Sequence, residues 1–142
     1  MLNTMERAIL EMLLAGEDKR LAILRSQLDS ATVVDREFGL GFFTKLSVPA
    51  HIPRLQAVKW WLIGDVLGEV TGFRYPAGFQ LFVVEGTLDL LECYIFDDDW
   101  PEDPKLHRLY YVHPAASRRK GLVETKERDL QYALGRHGGP RQ

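Results

Sequence analysis

Residues 78–96 read GFQLFVVEGTLDLLECYIF, two apolar runs on either side of Glu85-Gly86. A Glu-Gly pair between apolar runs is typical of a two-residue turn that joins antiparallel strands. The sequence therefore predicts a β-hairpin in this stretch. With the turn centred on Glu85-Gly86 and no irregularity, Phe79 faces Glu92 across the hairpin.

Glu92 is the unusual residue of this hairpin, because a carboxylate on a core face must be paired, be protonated or open onto a polar pocket. Arg36 is a candidate partner, since it would share a side with Val34 and Phe38 in an extended segment. A structural ion pair and an acid or base in a pocket both stay open. A one-residue bulge would exchange the faces of one strand. In the regular register the other side chains on the face of Glu92 are Phe79, Leu81, Val83, Leu88, Leu90, Tyr94 and Phe96.

Two helices are predicted before the first strand. Asn3 and Glu6 match a capping box, and Gly16 suits a helix end. Asp18 can cap the second helix. Apolar residues then recur at helical spacing: Ile9, Leu10, Leu13, Leu14, Leu21, Leu24 and Leu28.

The periodicity changes to that of strands after residue 31. Residues 38–48 alternate as a half-buried strand does, and residues 60–70 are apolar on both sides. Asp65 is a second unusual carboxylate, inside the latter strand. Residues 106–112 could add a last strand. We therefore predict an α+β fold, with two N-terminal helices packed on an antiparallel sheet of about five strands.

Adjacent aromatic residues indicate where a partner could bind. Trp60 and Trp61 are neighbours in the predicted strand, where successive side chains point to opposite faces. One of the two can therefore lie outside the core and mark an interaction surface. It can equally pack beneath a helix or the C-terminal tail.

Charge is spread unevenly along the chain. Residues 1–104 carry nine Lys/Arg and 17 Asp/Glu, a balance of −8, whereas residues 105–142 carry nine Lys/Arg and three Asp/Glu, a balance of +6. We predict a single domain over residues 1–113 and a basic C-terminal tail over residues 114–142, with a helix at 122–134. The tail could bind an acidic partner, lie on the acidic body or remain solvated.

Composition argues against several classes of protein. The single cysteine, Cys93, excludes an intrachain disulfide, and it is expected to fill space in the core. The N-terminus lacks the layout of a signal peptide, and no apolar run reaches the roughly 18 residues of a membrane helix, so we expect a cytoplasmic protein with no membrane association.

Motifs for metal, cofactor or nucleic-acid binding are absent from the sequence. The acidic stretch at residues 97–103 lacks the spacing of a calcium loop, so a solvated loop or a contact for a basic partner is expected there. The four histidines of the chain are scattered along the sequence. The only basic run, Arg118 to Lys120, is short for a nucleic-acid site. We expect neither metal nor cofactor.

Two stretches, REFGLGFFT at residues 36–44 and GFQLFV with LECY in the hairpin, resemble a group of small, uncharacterised bacterial proteins. The similarity spans roughly residues 20–100. This resemblance implies a bacterial, cytoplasmic, single-domain protein, and it implies no activity or catalytic residue.

Two functional hypotheses follow. The first is a non-enzymatic protein-interaction module, acting as a homodimer or with another protein, in an immunity-like or accessory role. Its binding residues would include Trp60 and Trp61. The alternative is a small-molecule-binding domain or enzyme, with a polar pocket around Glu92, Arg36 and Asp65 beneath the helices. The sequence identifies no catalytic residue.

Overall fold

A computed structural model describes residues 1–56, 58–96, 99–115 and 121–138. It confirms a mixed helix and sheet fold with an antiparallel sheet, but the described part holds eight strands instead of about five. The helices are α1 (Thr4–Leu13), α2 (Lys19–Arg25) and α3 (Leu130–Ala133). The strands are β1 (Thr32–Gly39), β2 (Gly41–Ser47), β3 (Trp60–Val70), β4 (Ala77–Val84), β5 (Thr87–Tyr94), β6 (Leu106–Pro114), β7 (Leu122–Thr125) and β8 (His137–Gly138).

The strands follow the order β1-β2-β5-β4-β3-β6-β7, and β8 pairs with the first residues of β3. Two features account for the additional strands. Residues 32–47 fold back on themselves at Leu40 and form two strands, not one. The C-terminal segment supplies β7 and β8, which pair with β6 and β3.

Both predicted helix starts are confirmed. The Asn3 side chain accepts a hydrogen bond from the Glu6 N–H at 2.7 Å, and the Glu6 carboxylate accepts one from the Asn3 N–H at 2.9 Å. Asp18 accepts from the N–H groups of Arg20 and Leu21. These bonds satisfy N–H groups that have no partner within a helix.

One face of the sheet, called the inner face here, packs against the helices. Side chains of α1 and α2 join those of the inner face in one hydrophobic core. The helices contribute Ile9, Leu10, Leu13, Leu14, Leu21 and Leu24. The inner face contributes Phe42, Leu46, Trp61, Ile63, Val66, Phe79, Leu81, Val83, Leu88, Leu91 and Cys93.

The hairpin turn is confirmed, but the predicted register is wrong. Glu85 and Gly86 have φ values of 51° and 79°, the positive φ pair of a type I′ turn. Beyond the first two pairs, however, β5 carries one additional residue, Asp89. Glu92 therefore pairs with Gln80 instead of Phe79, and it lies on the face opposite the core.

Residues 121–138 are packed against the rest of the chain. Within the predicted helix at 122–134 only Leu130–Ala133 is helical, and Leu122–Thr125 is a strand. Leu134 is buried, and its carbonyl accepts a hydrogen bond from the Trp61 indole at 3.0 Å. The basic run at residues 118–120 lies outside the described residues.

A buried ion pair ties this segment to α1. The Arg128 guanidinium donates to both carboxylate oxygens of Asp65, at 2.9 and 2.7 Å, and to the carbonyls of Met12 and Ala15, at 3.1 and 2.7 Å. The side chains of Arg128 and Asp65 are only 6% and 1% exposed. Tyr111 donates its hydroxyl to the Met12 carbonyl at 2.7 Å. Side chains thus bind two carbonyls at and just beyond the last turn of α1, those of Met12 and Ala15.

Replacing Arg128 by Met should lower the free energy of unfolding by about 3–5 kcal/mol, because it leaves Asp65 buried without its partner. Urea unfolding followed by tryptophan fluorescence would measure this change. Arg108→Met is the matched control, since Arg108 contacts Glu69 and Glu124 but is 44% exposed. The control should lose about 1 kcal/mol or less. Equal losses in the two variants would contradict the assigned role of the buried pair.

Candidate functional site

The sheet face opposite the core is called the open face here. Strand register places on it side chains that are absent from the hydrophobic core. They include Phe43, Lys45, Trp60, Leu62, Gln80, Phe82, Val84, Leu90, Glu92 and Tyr94.

The open face is apolar and reachable by solvent. Trp60 is 48% exposed, Phe43 40% and Val84 39%. Each has a chain neighbour on the inner face: Trp61 is fully buried and Phe42 is 3% exposed. The period of two in a strand thus separates each aromatic pair into one core residue and one surface residue.

Glu92 lies in the middle of the open face, between Phe43 of β2 and Gln80 of β4. It is partly buried, and the Gln80 side-chain amide donates a hydrogen bond to its carboxylate. Tyr94, the next residue of β5 on this face, lies across Gly78, where a Cβ atom would overlap its ring. Glu92 is therefore a polar position within an apolar surface.

The predicted polar residues do not form one site. Arg36 lies on the inner side and pairs with Glu6 at 2.8 Å, so the predicted Arg36–Glu92 pair is wrong. The register shift that moved Glu92 to the open face separates the two. Asp65 is bound to Arg128. A pocket lined by Glu92, Arg36 and Asp65 beneath the helices is therefore not formed.

Glu6 is a buried carboxylate, for which the sequence predicted only a role in the capping box of α1. Its carboxylate accepts hydrogen bonds from Arg36 and, at 2.6 Å, from the Thr44 hydroxyl. Burial by itself raises the pKa of Glu6, but the bonds from Arg36, Thr44 and the Asn3 N–H together bring the pKa below its ordinary value. Since these partners hold its charged form, the group is a structural anchor.

A groove of about 470 Å³ opens at the β1 end of the open face. Lys45 is paired there with Asp89 at 2.6 Å. The lining combines an apolar floor with acidic residues of the outermost strand. Its residues are Val34, Asp35, Glu37, Phe43, Lys45 and Leu90.

Cys93 and Trp100 are packed in the hydrophobic core. Cys93 is buried, and burial raises the pKa of its thiol, which keeps the thiol protonated. Trp100 is buried against Phe42 and Phe73, with ring centroids 5.1 and 5.8 Å apart. Asp97 and Asp98 of the acidic stretch lie outside the described residues.

The residues that the structure describes contain neither a candidate metal site nor a membrane-spanning helix. No three His, Cys, Asp or Glu side chains of this part converge in a way that could hold a metal ion. None of the described helices combines the length and the apolar character needed to cross a membrane.

Comparisons with protein-family models, curated proteins and solved structures give no significant match.

Acid should remove the stabilisation that Glu6 provides. Because the pKa of Glu6 is lowered in the folded state, this stabilisation is present above the unfolded pKa of about 4.3 and is lost as the pH falls through and below it. We expect Glu6→Gln to be less stable than wild type at pH 7, with a difference that shrinks below about pH 5. Urea unfolding at several pH values would test this. A difference that is independent of pH would contradict it.

Proposed function

We propose that this protein is a non-enzymatic protein-interaction module that binds its partner through the open face. The observation that carries the proposal is an apolar sheet face, with Trp60, Phe43 and Val84 substantially exposed. Extended apolar surfaces of folded domains are typical of binding sites, and aromatic residues contribute much of the energy of protein interfaces.

The chemistry of the open face supports a protein partner. Lys45 and Asp89 already pair with each other, and Glu92 accepts from Gln80. These bonds leave acceptor sites on the Glu92 carboxylate and donors on the Lys45 ammonium, so a partner that buries this face must supply complementary polar groups, as a protein surface does. An apolar surface with a few polar groups suits contact with another folded protein.

The partner is a second copy of this chain or another protein. The acidic balance of residues 1–104 favours a basic partner, which fits an immunity-like or accessory role in a bacterial cytoplasm. A homodimer would instead bring two open faces together. The two cases differ in the mass of the complex.

Site-specific photo-crosslinking tests the proposal. A benzoylphenylalanine residue replaces Phe82, on the open face, in the cell that naturally produces the protein. We expect a discrete crosslinked species, because Phe82 would lie inside the interface. Twice the mass of the chain identifies a homodimer, and any other discrete mass identifies another protein.

The same photoreactive residue at Ala22, which is exposed on α2, is the matched control and should give no discrete species. Adding Trp60→Ser to the Phe82 variant should reduce the yield about tenfold, as expected for removal of one aromatic contact worth about 1.4 kcal/mol. Equal yields at positions 82 and 22, or a yield that does not depend on Trp60, would refute the proposal.

A further inference from the structure

β1 is the outermost strand at one end of the described sheet, beside β2. Its outer side therefore has no neighbouring strand in the described part of the chain. Such an edge can bind an extended segment of another protein, which joins the sheet through backbone hydrogen bonds. β1 is eight residues long, which is long enough for specific pairing.

The side chains of β1 alternate between two environments. Arg36 faces inward and pairs with Glu6. Asp35 and Glu37 pair with Lys45 and Phe43 of β2, on the open face, and both line the groove. An added strand would therefore place every second side chain next to these two carboxylates.

The charge of this region is acidic. Asp35, Glu37 and Asp89 supply three carboxylates, and Lys45 supplies one amine. Lys45 is already paired with Asp89. Glu37 has no ion pair within the described residues. A strand with Lys or Arg beside Asp35 and Glu37 would be complementary, whereas an acidic strand would be repelled.

A second copy of β1 does not meet this requirement. Antiparallel strands of one continuous sheet oppose residues on the same face, so a symmetric pair centred on Asp35, Arg36 or Glu37 would set one of these carboxylates against another. Like charges directly opposite each other destabilise strand pairing. The edge therefore favours a different chain.

Two features of β1 restrict which strands can pair with it. Val34 is the additional residue of a bulge, which interrupts the regular edge. Asp35 accepts a hydrogen bond from the Arg36 N–H at 2.9 Å, and this bond occupies a backbone donor. A cationic side chain that draws Asp35 away would free that donor, whereas a neutral strand would not.

We propose that β1 binds an extended basic segment of another protein as an added strand, with Lys or Arg at alternate positions facing Asp35 and Glu37 and apolar residues between them. The aliphatic stems of the basic residues would lie along Val34 and Phe43 in the groove. The intervening apolar residues would meet Phe38, which is 66% exposed. This inference rests on the proposed function and specifies the chemistry of the partner.

Short synthetic peptides test the proposal on the full chain labelled with ¹⁵N. The first peptide alternates Lys with Val, the second Glu with Val, and the third Lys with Pro. We expect the Lys/Val peptide to shift the amide signals of residues 32–39 and to bind at least about tenfold more tightly than the others. The Glu/Val peptide is repelled, and the Lys/Pro peptide keeps the charge but lacks the valine N–H groups that strand pairing needs.

Glu37→Lys should weaken binding of the Lys/Val peptide by about tenfold or more, and Glu17→Lys, the same charge change in the exposed α1–α2 connection, should not. Shifts outside β1, equal binding of the Lys/Pro peptide or equal effects of the two variants would overturn strand addition. A dimer in sedimentation that Glu37→Lys dissociates would assign the edge to a second copy and would also overturn the proposal.

If these results come with an intact crosslink at position 82, only this inference fails. If the crosslink is absent while the peptide binds β1, the proposed function of the open face fails instead.

Discussion

The guanidinium of Arg128 holds together the parts of the chain on which the fold depends. It joins Asp65 of the central strand β3 to the carbonyls at the end of α1, and it comes from the segment before α3. At its other end, α1 is attached to β1 and β2 through Glu6, which contacts Arg36 and Thr44. These two buried carboxylates lock α1 onto the inner face. Because α1 and α2 pack on that face, Trp60, Phe43 and Val84 on the other face stay exposed to solvent.

Local sequence signals predicted where helices, strands and the hairpin turn lie. They did not predict how neighbouring strands are aligned with each other. The capping box of Asn3 and the positive-φ turn at Gly86 depend on a few neighbouring residues, and both were predicted correctly. The bulge at Asp89 has no such local signal, because an aspartate within a strand does not by itself indicate an additional residue. That single additional residue reversed the faces of the rest of β5. Strand register is a property of two strands together, which one sequence specifies only weakly.

The candidate site was predicted in part. Trp60 and Trp61 separate as the period of a strand requires, so the position of a surface aromatic residue could be inferred from two adjacent tryptophans. The surroundings of Glu92 were not predicted, because the face on which it lies depended on Asp89. The partner of Asp65 lies 63 residues away, in a segment with weak periodicity, and no local pattern could connect the two. Long-range ion pairs of this kind need the fold before they can be recognised.

Native-state hydrogen exchange of α1 tests most directly whether the two carboxylates lock this helix onto the sheet. If they do, the slowest amides of α1 open only when β3, β4 and β5 unfold. We expect their free energies of opening to agree with those of the slowest strand amides within about 1 kcal/mol. Amides of α1 that open several kcal/mol below the strands would show that the helix detaches on its own. The inner face would then be accessible too, and the distinction between a committed face and an open face would be lost.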